Sequence, residues 1–280
     1  MKYFLCILLI FSAITVHAQT DSTHVSLWKH SLVSGLNLTQ VALTDWAQGG
    51  ENALAWTLVI DGKSTREADV VEWSNTYKFA FGQTRLGSQG IRKTEDKIDF
   101  ESILIYKLGT LINPYGAATV KSQFAPGFMY DNAGNETQVS QFFDPGYLTQ
   151  SFGVGYQPMN EIKTRFGVAL REIITSNHTQ YSDDATTTDI EKTRVEGGLE
   201  WVTDITWQLD ENLLLISKLE FFSPLKTFDE TVFRADNSIT AKVNKYITAN
   251  LNLQILNDKK VSPRTQFKET IALGLSYTIF

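Results

Sequence analysis

The chain ends in IALGLSYTIF (residues 271–280), a stretch in which two kinds of side chain alternate. Its apolar positions are Ile271, Leu273, Leu275, Tyr277 and Ile279, with small or polar residues between them. Because successive side chains of a β-strand point to opposite faces, this pattern predicts a strand with one apolar and one small or polar face. The same period of two recurs at 71–82, 194–207 and 246–255, whereas helical periodicity is scarce. The sequence therefore predicts an all-β protein.

Twelve segments have the alternation expected of strands. They cover 30–43, 52–61, 70–85, 98–108, 115–128, 147–156, 162–175, 194–208, 213–222, 230–242, 246–256 and 267–280. Many of them are longer than the five or six residues that are usual in soluble sheets. Strands of about ten or more residues are what a tilted membrane crossing requires.

The connections between these segments differ in length at the two ends of the predicted sheet. One set, at 62–69, 109–114, 157–161, 209–212 and 243–245, is generally short and made of turn residues. The other set, at 44–51, 86–97, 129–146, 176–193, 223–229 and 257–266, includes two long polar loops. Short turns on the periplasmic side and longer outer loops are typical of outer-membrane barrels. An even number of strands then places both ends of the chain in the periplasm.

A soluble β-sandwich is the competing prediction, because its two apolar faces would produce the same alternation. Long strands are less common in sandwiches, so the strand lengths favour a barrel. We therefore predict that residues 30–280 form a closed antiparallel up-and-down transmembrane β-barrel of about 12 strands, with short periplasmic turns and longer outer loops.

The first 18 residues have the features of a signal peptide. Lys2 supplies a positive charge, the stretch Tyr3–Val16 is apolar, and Val16-His17-Ala18 offers the residues that a signal peptidase reads. An uncleaved membrane anchor is the alternative, but the apolar stretch is short for a span of roughly 20 residues. We expect cleavage before Gln19, a short periplasmic segment at 19–29 and residence in the cell outer membrane.

Charge and cysteine content exclude several classes of function. The chain carries 25 Lys and Arg against 31 Asp and Glu, a net charge of −6, and removal of the signal peptide with Lys2 changes this to −7. With no basic cluster, nucleic acid is not an expected partner. Cys6, the only cysteine, lies in the signal peptide. The mature chain therefore has no disulfide, no thiol nucleophile and no cysteine–zinc site.

Charged residues of both signs occupy the polar face of the predicted strands. In a barrel this face lines the lumen, since a Lys or Arg on the lipid face near the midplane costs about 2–4 kcal/mol. The residues expected to line the lumen are Glu72, Lys78, Asp99, Glu101, Lys107, Lys163, Arg165, Arg171, Arg194, Glu196, Glu200, Asp204, Lys218, Glu220, Arg234, Asp236 and Lys242. Carboxylates two or four residues apart on one strand could perform glycosidase-like acid–base chemistry. Neutralisation by Lys and Arg on neighbouring strands is the interpretation we favour.

Other motifs for catalysis or cofactor binding are weak. His178, in a long loop, is the best candidate for an outer-membrane hydrolase that uses a serine–histidine mechanism, although no serine has a spacing that singles it out. No pair of histidines has metal-ligand spacing, and Gly153-Val154-Gly155 lies in a strand pattern with no helix after it to bind phosphate. We therefore predict no catalytic residue, metal or cofactor.

The first outer loop carries an unusual motif, Trp46-Ala47-Gln48-Gly49-Gly50-Glu51-Asn52. A strand rather than a helix follows it, so it is not a phosphate site. Gly49 and Gly50 provide freedom for positive φ. We expect Trp46, Gly49, Gly50, Glu51 and Asn52 to form a loop that tucks over the mouth of the lumen.

This motif, with Trp73-Ser74-Asn75, the run from Lys93 to Ile98, and Gly274-Leu275-Ser276-Tyr277, resembles a Bacteroidota family described as a domain of unknown function (number 3078). The resemblance covers nearly all of the mature chain. It implies an exported, envelope-associated β-protein, and it implies no activity and no catalytic residue.

The sequence is compatible with three functions. The first is a narrow channel or transporter for small polar solutes, because twelve strands enclose a wider lumen than eight do. The second is a structural or adhesive barrel whose lumen is plugged by ion pairs, and the third is a lipid or glycan hydrolase. The expected partners are outer-membrane lipid, the small polar solute and, during biogenesis, barrel-assembly machinery that reads a terminal aromatic residue such as Phe280.

Overall fold

The computed structural model describes residues 28–43, 50–184 and 186–279, and its architecture is almost entirely strand. The strands are β1 Trp28–Val41, β2 Ala53–Glu67, β3 Val71–Leu86, β4 Arg92–Tyr106, β5 Ile112–Ser122, β6 Gly127–Tyr130, β7 Glu136–Ser140, β8 Gly146–Met159, β9 Ile162–Ile174, β10 Thr193–Asp210, β11 Leu213–Pro224, β12 Val232–Lys242, β13 Ile247–Asn257 and β14 Gln266–Thr278. Two short 3₁₀ helices, Thr179–Tyr181 and Phe228–Glu230, lie in connections. Within the described ranges, no helix is long and apolar enough to cross a membrane.

Twelve of these strands close into one antiparallel barrel. Their order around the wall is β1-β14-β13-β12-β11-β10-β9-β8-β5-β4-β3-β2, after which β2 returns to β1. The strands β1 and β14 complete the circle through a register that runs from Val33 opposite Thr278 to Asn37 opposite Gly274. The strands β6 and β7 form a separate two-stranded sheet between β5 and β8. The prediction of a closed antiparallel barrel of about 12 strands is confirmed.

Several strands are longer or shorter than the sequence pattern indicates. β2 continues to Glu67 rather than 61, and β4 begins at Arg92 rather than 98. Polar runs at these places have the composition of loops, yet their side chains are accommodated on the polar interior face of a barrel. Conversely, β5 ends at Ser122 rather than 128, because the chain leaves the wall to form the β6–β7 hairpin.

The connections are unequal at the two ends of the barrel. The turn end carries 68–70, 107–111, 160–161, 211–212 and 243–246. The loop end carries 42–52, 87–91, 123–145, 175–192, 225–231 and 258–265. We call 123–145, which contains the β6–β7 hairpin, loop L3, and we call 175–192 loop L4. The predicted contrast between short turns and longer loops is confirmed.

The two faces of the wall differ sharply in chemistry. On the outward face, Ile271 is 77% exposed, Phe152 and Leu273 are each 69% exposed, and Phe267 is 63% exposed. On the inward face, Glu101 is 4% exposed and its ladder partner Thr119 is 7% exposed. Directly opposite residues share a face, so the ladder carries this polar inward surface from strand to strand.

Some predictions concern residues outside the described ranges. These are the signal peptide (1–18), most of the segment 19–29, the loop residues Trp46 and Gly49, and the terminal Phe280. Within the segment 19–29, Trp28 and Lys29 are the first two residues of β1.

Candidate functional site: the charged lumen and the outer loops

A buried carboxylate joins three separate strands near the middle of the lumen. Oε2 of Glu101 on β4 lies 2.6 Å from Nη2 of Arg165 on β9 and 2.8 Å from Nζ of Lys218 on β11. Because β4 is a ladder neighbour of neither β9 nor β11, both contacts cross the interior rather than follow the wall. The Glu101 and Arg165 side chains are nearly fully buried. Such charges are tolerated in a protein interior only when they are paired.

Further charges extend this contact into a neutral cluster. Asp204 lies 3.3 Å from Arg165 and 3.7 Å from Lys218, and the Lys121 ammonium on β5 donates to Glu220 on β11. We call Glu101, Lys121, Arg165, Asp204, Lys218 and Glu220 the central ion cluster. Its three carboxylates balance its three cations.

Further ion pairs cross the lumen on other strand pairs. Nζ of Lys163 on β9 lies 3.2 Å from the Glu72 carboxylate on β3. Nζ of Lys97 on β4 lies 2.6 Å from the Asp236 carboxylate on β12, which also accepts a hydrogen bond from Asn252. Opposite sides of the wall are therefore connected outside the central ion cluster as well.

At the loop end, the connection 258–265 folds inward and adds its own charges. Asp258 is buried and lies 3.3 Å from Arg171. The Lys260 ammonium donates to Glu196 on β10 and lies 3.0 Å from Glu230. Arg194 donates to the same Glu196 at 2.8 Å. Inward folding of this connection brings charges over the mouth of the lumen.

The predicted lumen residues thus fall into three groups. Those in salt bridges on the lumen side are Glu72, Glu101, Lys163, Arg165, Arg171, Arg194, Glu196, Asp204, Lys218, Glu220 and Asp236. Those on the inward face that form no salt bridge with another described residue are Lys78, Asp99, Glu200 and Arg234. Those at the turn end are Lys107 and Lys242.

The last group lies at the turn end of the barrel. Lys107 follows the final residue of β4 and donates to Glu67 at 2.8 Å, so it lies at the rim of the lumen. Lys242, the final residue of β12, is exposed and lies directly opposite Thr248, a buried residue of β13, so it stays on the inward side of the ladder.

The sequence prediction did not include several charged residues of the lumen and its mouth, among them Lys97, Lys121, Asp258 and Lys260. Lys97 lies one position before 98, where the sequence pattern places the start of the fourth strand. Lys121 was recoverable, since it continues the alternation of Tyr115 and Thr119 on β5. Asp258 and Lys260 lie in a loop, where alternation carries no information about which residues turn inward.

Loops L3 and L4 are joined by one buried carboxylate. Asp144 of L3 is 1% exposed and accepts backbone hydrogen bonds from Ser176 at 3.0 Å, Asn177 at 2.8 Å and His178 at 3.3 Å. Burial raises the pKa of Asp144, but the hydrogen bonds from Asn177, Ser176 and His178 outweigh it, so the pKa lies below the ordinary value of 3.8. We call this arrangement the loop clamp.

His178 belongs to the loop clamp. Its Nδ1 lies 3.1 Å from Oδ2 of Asp144, and its side chain is largely buried. A histidine–carboxylate pair is part of a hydrolase triad, but in the described ranges no serine or threonine hydroxyl is hydrogen-bonded to this ring. Nearby, the Tyr181 hydroxyl donates to the Val139 carbonyl at 3.2 Å, a second link between the two loops.

The described part of the first-loop motif makes contact with the neighbouring turn. Gly50 has φ of 119°, as expected for a glycine with left-handed freedom. Asn52 accepts a hydrogen bond from the backbone of Leu43 at 2.7 Å, and its own carbonyl accepts one from Gly87 at 2.7 Å. The Glu51 side chain packs against Gly87 in the turn 87–91. These contacts fasten the second half of the motif to the loop end.

Over the part of the chain that the structure covers, no group of three or more His, Cys, Asp or Glu residues is placed to hold a metal ion.

Fold and site define this chain as a closed β-barrel with an ion-paired lumen. Two family models match it. Residues 38–128 match a family described as "Protein of unknown function (DUF3078)", which confirms the resemblance over that part of the chain. Residues 143–279 match a different family, described as "Protein of unknown function, DUF481". The resemblance to the first family therefore does not extend over nearly all of the mature chain. No match was found among curated proteins.

The barrel is also similar to several solved structures at low identity. One is the translocator domain of the autotransporter NalP from Neisseria meningitidis, with 10% identity, 92% of this chain and 90% of that chain covered, and a TM-score of 0.38. The NanC porin has 9% identity, coverage of 88% and 98%, and a TM-score of 0.38. The COG4313 outer membrane channel from Pseudomonas putida F1 has 11% identity, coverage of 89% and 93%, and a TM-score of 0.37.

Proposed function

We propose that this protein is an outer-membrane β-barrel whose resting lumen is closed by ion pairs, and that it acts as a structural or adhesive barrel presenting loops L3 and L4. The observation that carries the proposal is the central ion cluster, in which Glu101, Arg165 and Lys218 join three strands across the interior. Their side chains occupy the space through which a solute would pass.

The outward face supports a position in a membrane. Large apolar side chains are exposed on strands all around the wall, and Phe152, Ile271 and Leu273 are among the most exposed. Soluble monomers rarely expose contiguous apolar patches larger than a few hundred Å². An apolar outward band around a polar interior is the arrangement of transmembrane barrels.

The loop clamp supports the presenting role. Asp144 holds three successive amides of L4, and Tyr181 donates back to Val139 of L3. A preorganised loop pair loses less conformational entropy on binding a partner than two independent loops do. The hydrogen bonds that hold L3 and L4 together therefore support a role for these loops in binding a partner at the cell surface.

A narrow channel for small polar solutes is the second candidate, and one observation favours it. A cavity of about 60 Å³ lies within the lumen beside the central ion cluster, and its lining includes the polar side chains of Thr119, Thr149 and Arg234. If the ion pairs rearranged, this cavity would form part of a polar path.

Single-channel recording in planar bilayers tests the closed lumen. We expect the wild-type protein to be silent and the double variant Glu101→Gln/Lys218→Met to conduct, because it removes two neighbouring charges that bridge the lumen. Glu211→Gln/Lys226→Met changes exposed residues outside the lumen and serves as the matched control. Steady conductance of the wild-type protein would contradict the closed lumen and establish the channel instead.

A further inference from the structure

Three buried polar atoms in the described residues have no hydrogen-bond partner, and they cluster in one part of the lumen. They are Oη of Tyr115, Nε of Arg165 and Oε2 of Glu200. Buried polar groups in proteins are nearly always hydrogen-bonded, so an unpaired set needs a physical explanation such as bound solvent or a ligand.

The sheet register brings these three side chains together. Glu200 on β10 lies directly opposite Gly167 on β9. A side chain at Gly167 would lie 2.8 Å from the Tyr115 hydroxyl, so that hydroxyl occupies the space the glycine leaves free. Arg165 stands two residues before Gly167 on the same strand and therefore on the same face. One acceptor and two donors thus surround a position without a side chain.

Glu200 also lines the lumen cavity. Its side chain is 8% exposed, and its carboxylate makes no hydrogen bond or salt bridge with another described residue. The cavity therefore contains a buried carboxylate whose hydrogen-bonding capacity is unused. A group with N–H or O–H donors and a positive charge would complement it best.

A cation without a salt bridge to another described residue faces the same cavity. Arg234 on β12 lines it and lies directly opposite Glu220, but its guanidinium forms no hydrogen bond or salt bridge within the described ranges. The other charged residues of the lining are already paired, Lys121 with Glu220 and Arg171 with Asp258. Glu200 and Arg234 are therefore the two charged groups of the lining that have no salt bridge to another described residue.

We propose that this cavity is a binding site for a small zwitterionic solute of the amino-acid type. The solute's ammonium group would bind Glu200, its carboxylate would bind Arg234, and Thr119 and Thr149 would offer hydroxyls. A ligand with only one charge would leave either Glu200 or Arg234 without a partner. Recognition therefore requires both charges on one compact molecule.

The size of the cavity limits the solute. Its volume of about 60 Å³ corresponds to about four to six water-sized groups, at roughly 10–15 Å³ for each. Glycine, with five non-hydrogen atoms, fits this limit. The site goes beyond the proposed function, because binding at it depends neither on conduction nor on loops L3 and L4.

Equilibrium dialysis of the folded, detergent-solubilised full barrel against radiolabelled glycine tests the proposal. We expect saturable binding to one site, with acetate and methylammonium competing at least tenfold more weakly than glycine. Glu200→Gln and Arg234→Gln should each weaken binding at least tenfold. Glu172→Gln, on the opposite face of β9, and Arg264→Gln, in an exposed loop, are matched controls that should leave it unchanged.

The shift in gel mobility between heated and unheated samples shows whether each variant folds, so lost binding can be separated from lost structure. Absence of saturable glycine binding by the folded wild-type barrel would overturn the proposal and leave ordered water as the occupant. Unchanged affinity in both folded variants would overturn it too. Conductance by the wild-type protein would refute the closed lumen without affecting this result.

Discussion

At the scale of single residues, Glu101 shows how a buried charge can hold a barrel together. It lies between two cations, Arg165 and Lys218, and all three side chains are largely buried. Removal of one partner from a buried ion pair leaves an uncompensated charge, whose cost usually exceeds the net value of the pair. The effect of a substitution here therefore depends on which charges remain.

Glu101→Ala should lower the free energy of unfolding by about 3–5 kcal/mol, because Arg165 and Lys218 would both lose their main partner. The measurement is urea-induced unfolding of the barrel in detergent, followed by gel mobility. Glu211→Ala, in an exposed turn, is the control and should change little. A loss below about 1 kcal/mol would show that water reaches and solvates the two cations.

Asp144 acts at the loop end rather than in the lumen. Asp144→Ala should release L4 from L3, because three backbone amides would lose their acceptor, at up to about 1–3 kcal/mol for the buried amide of His178. We expect rapid protease cleavage in 175–192, with the barrel itself intact by gel mobility. Asp189→Ala, which removes an exposed carboxylate of L4, is the control. Equal protease resistance of Asp144→Ala and wild type would refute the loop clamp.

The same carboxyl sets a pH dependence. Its pKa in the folded protein is lowered, so its stabilising contribution is complete above the unfolded value of 3.8 and is lost as the pH falls through the lower folded value. Protease resistance of L4 should therefore persist at neutral and mildly acidic pH and decline only below 3.8. An acid-stable protease can measure this. Loss of resistance near pH 6 would indicate that another group controls the loops.

At the scale of elements, the contact between β8 and β9 depends on two glycines that face each other. Gly153 and Gly167 are directly opposite, and a side chain on Gly167 would lie 2.2 Å from the carbonyl oxygen of Phe152. That approach is far too close for a real contact and involves backbone, which cannot move aside as a flexible side chain can. Because Gly167 has no side chain, the Tyr115 hydroxyl can lie beside it inside the lumen.

Gly167→Ala should therefore sharply reduce the yield of folded barrel, because β8 and β9 would have to separate locally. Gly197→Ala is the matched control, since a side chain there would meet nothing within 4 Å. Replacement of glycine where the backbone permits it stabilises by about 0.4–1 kcal/mol, so this control should fold at least as well as wild type. Refolding yields on semi-denaturing gels compare the two variants, and similar yields would contradict the close strand packing at Gly167.

At the scale of the whole molecule, closure depends on the seam between the first and last barrel strands. The register pairs Leu36 with Leu275, and directly opposite residues have Cα atoms about 4.5–5.5 Å apart, within disulfide range. We expect Leu36→Cys/Leu275→Cys to cross-link under mild oxidation and to change mobility on a non-reducing gel. Leu36→Cys/Leu273→Cys, two residues out of register, should not cross-link. Preferential cross-linking of this second pair would show that the seam has a different register.

How much of the structure could be predicted from the sequence depended on whether a feature is set by neighbouring residues or by residues far apart along the chain. Alternation placed Glu101, Arg165 and Lys218 on the polar faces of their strands, because successive residues of a strand point to opposite faces. It missed Asp258 and Lys260, where a loop folds inward. The role of Asp144 was also missed, since its partners lie more than thirty residues away.

The sequence by itself determined the all-β class, the number of barrel strands, the apolar outward face and the charged inward face, since period-two alternation is local. Only the tertiary structure decided which charges meet across the lumen, because partners such as Lys97 and Asp236 are 139 positions apart along the chain. Barrel closure and strand stagger set those distances. The same closure placed Glu200 and Arg234 around one cavity without a salt bridge to another described residue, which no linear pattern reveals.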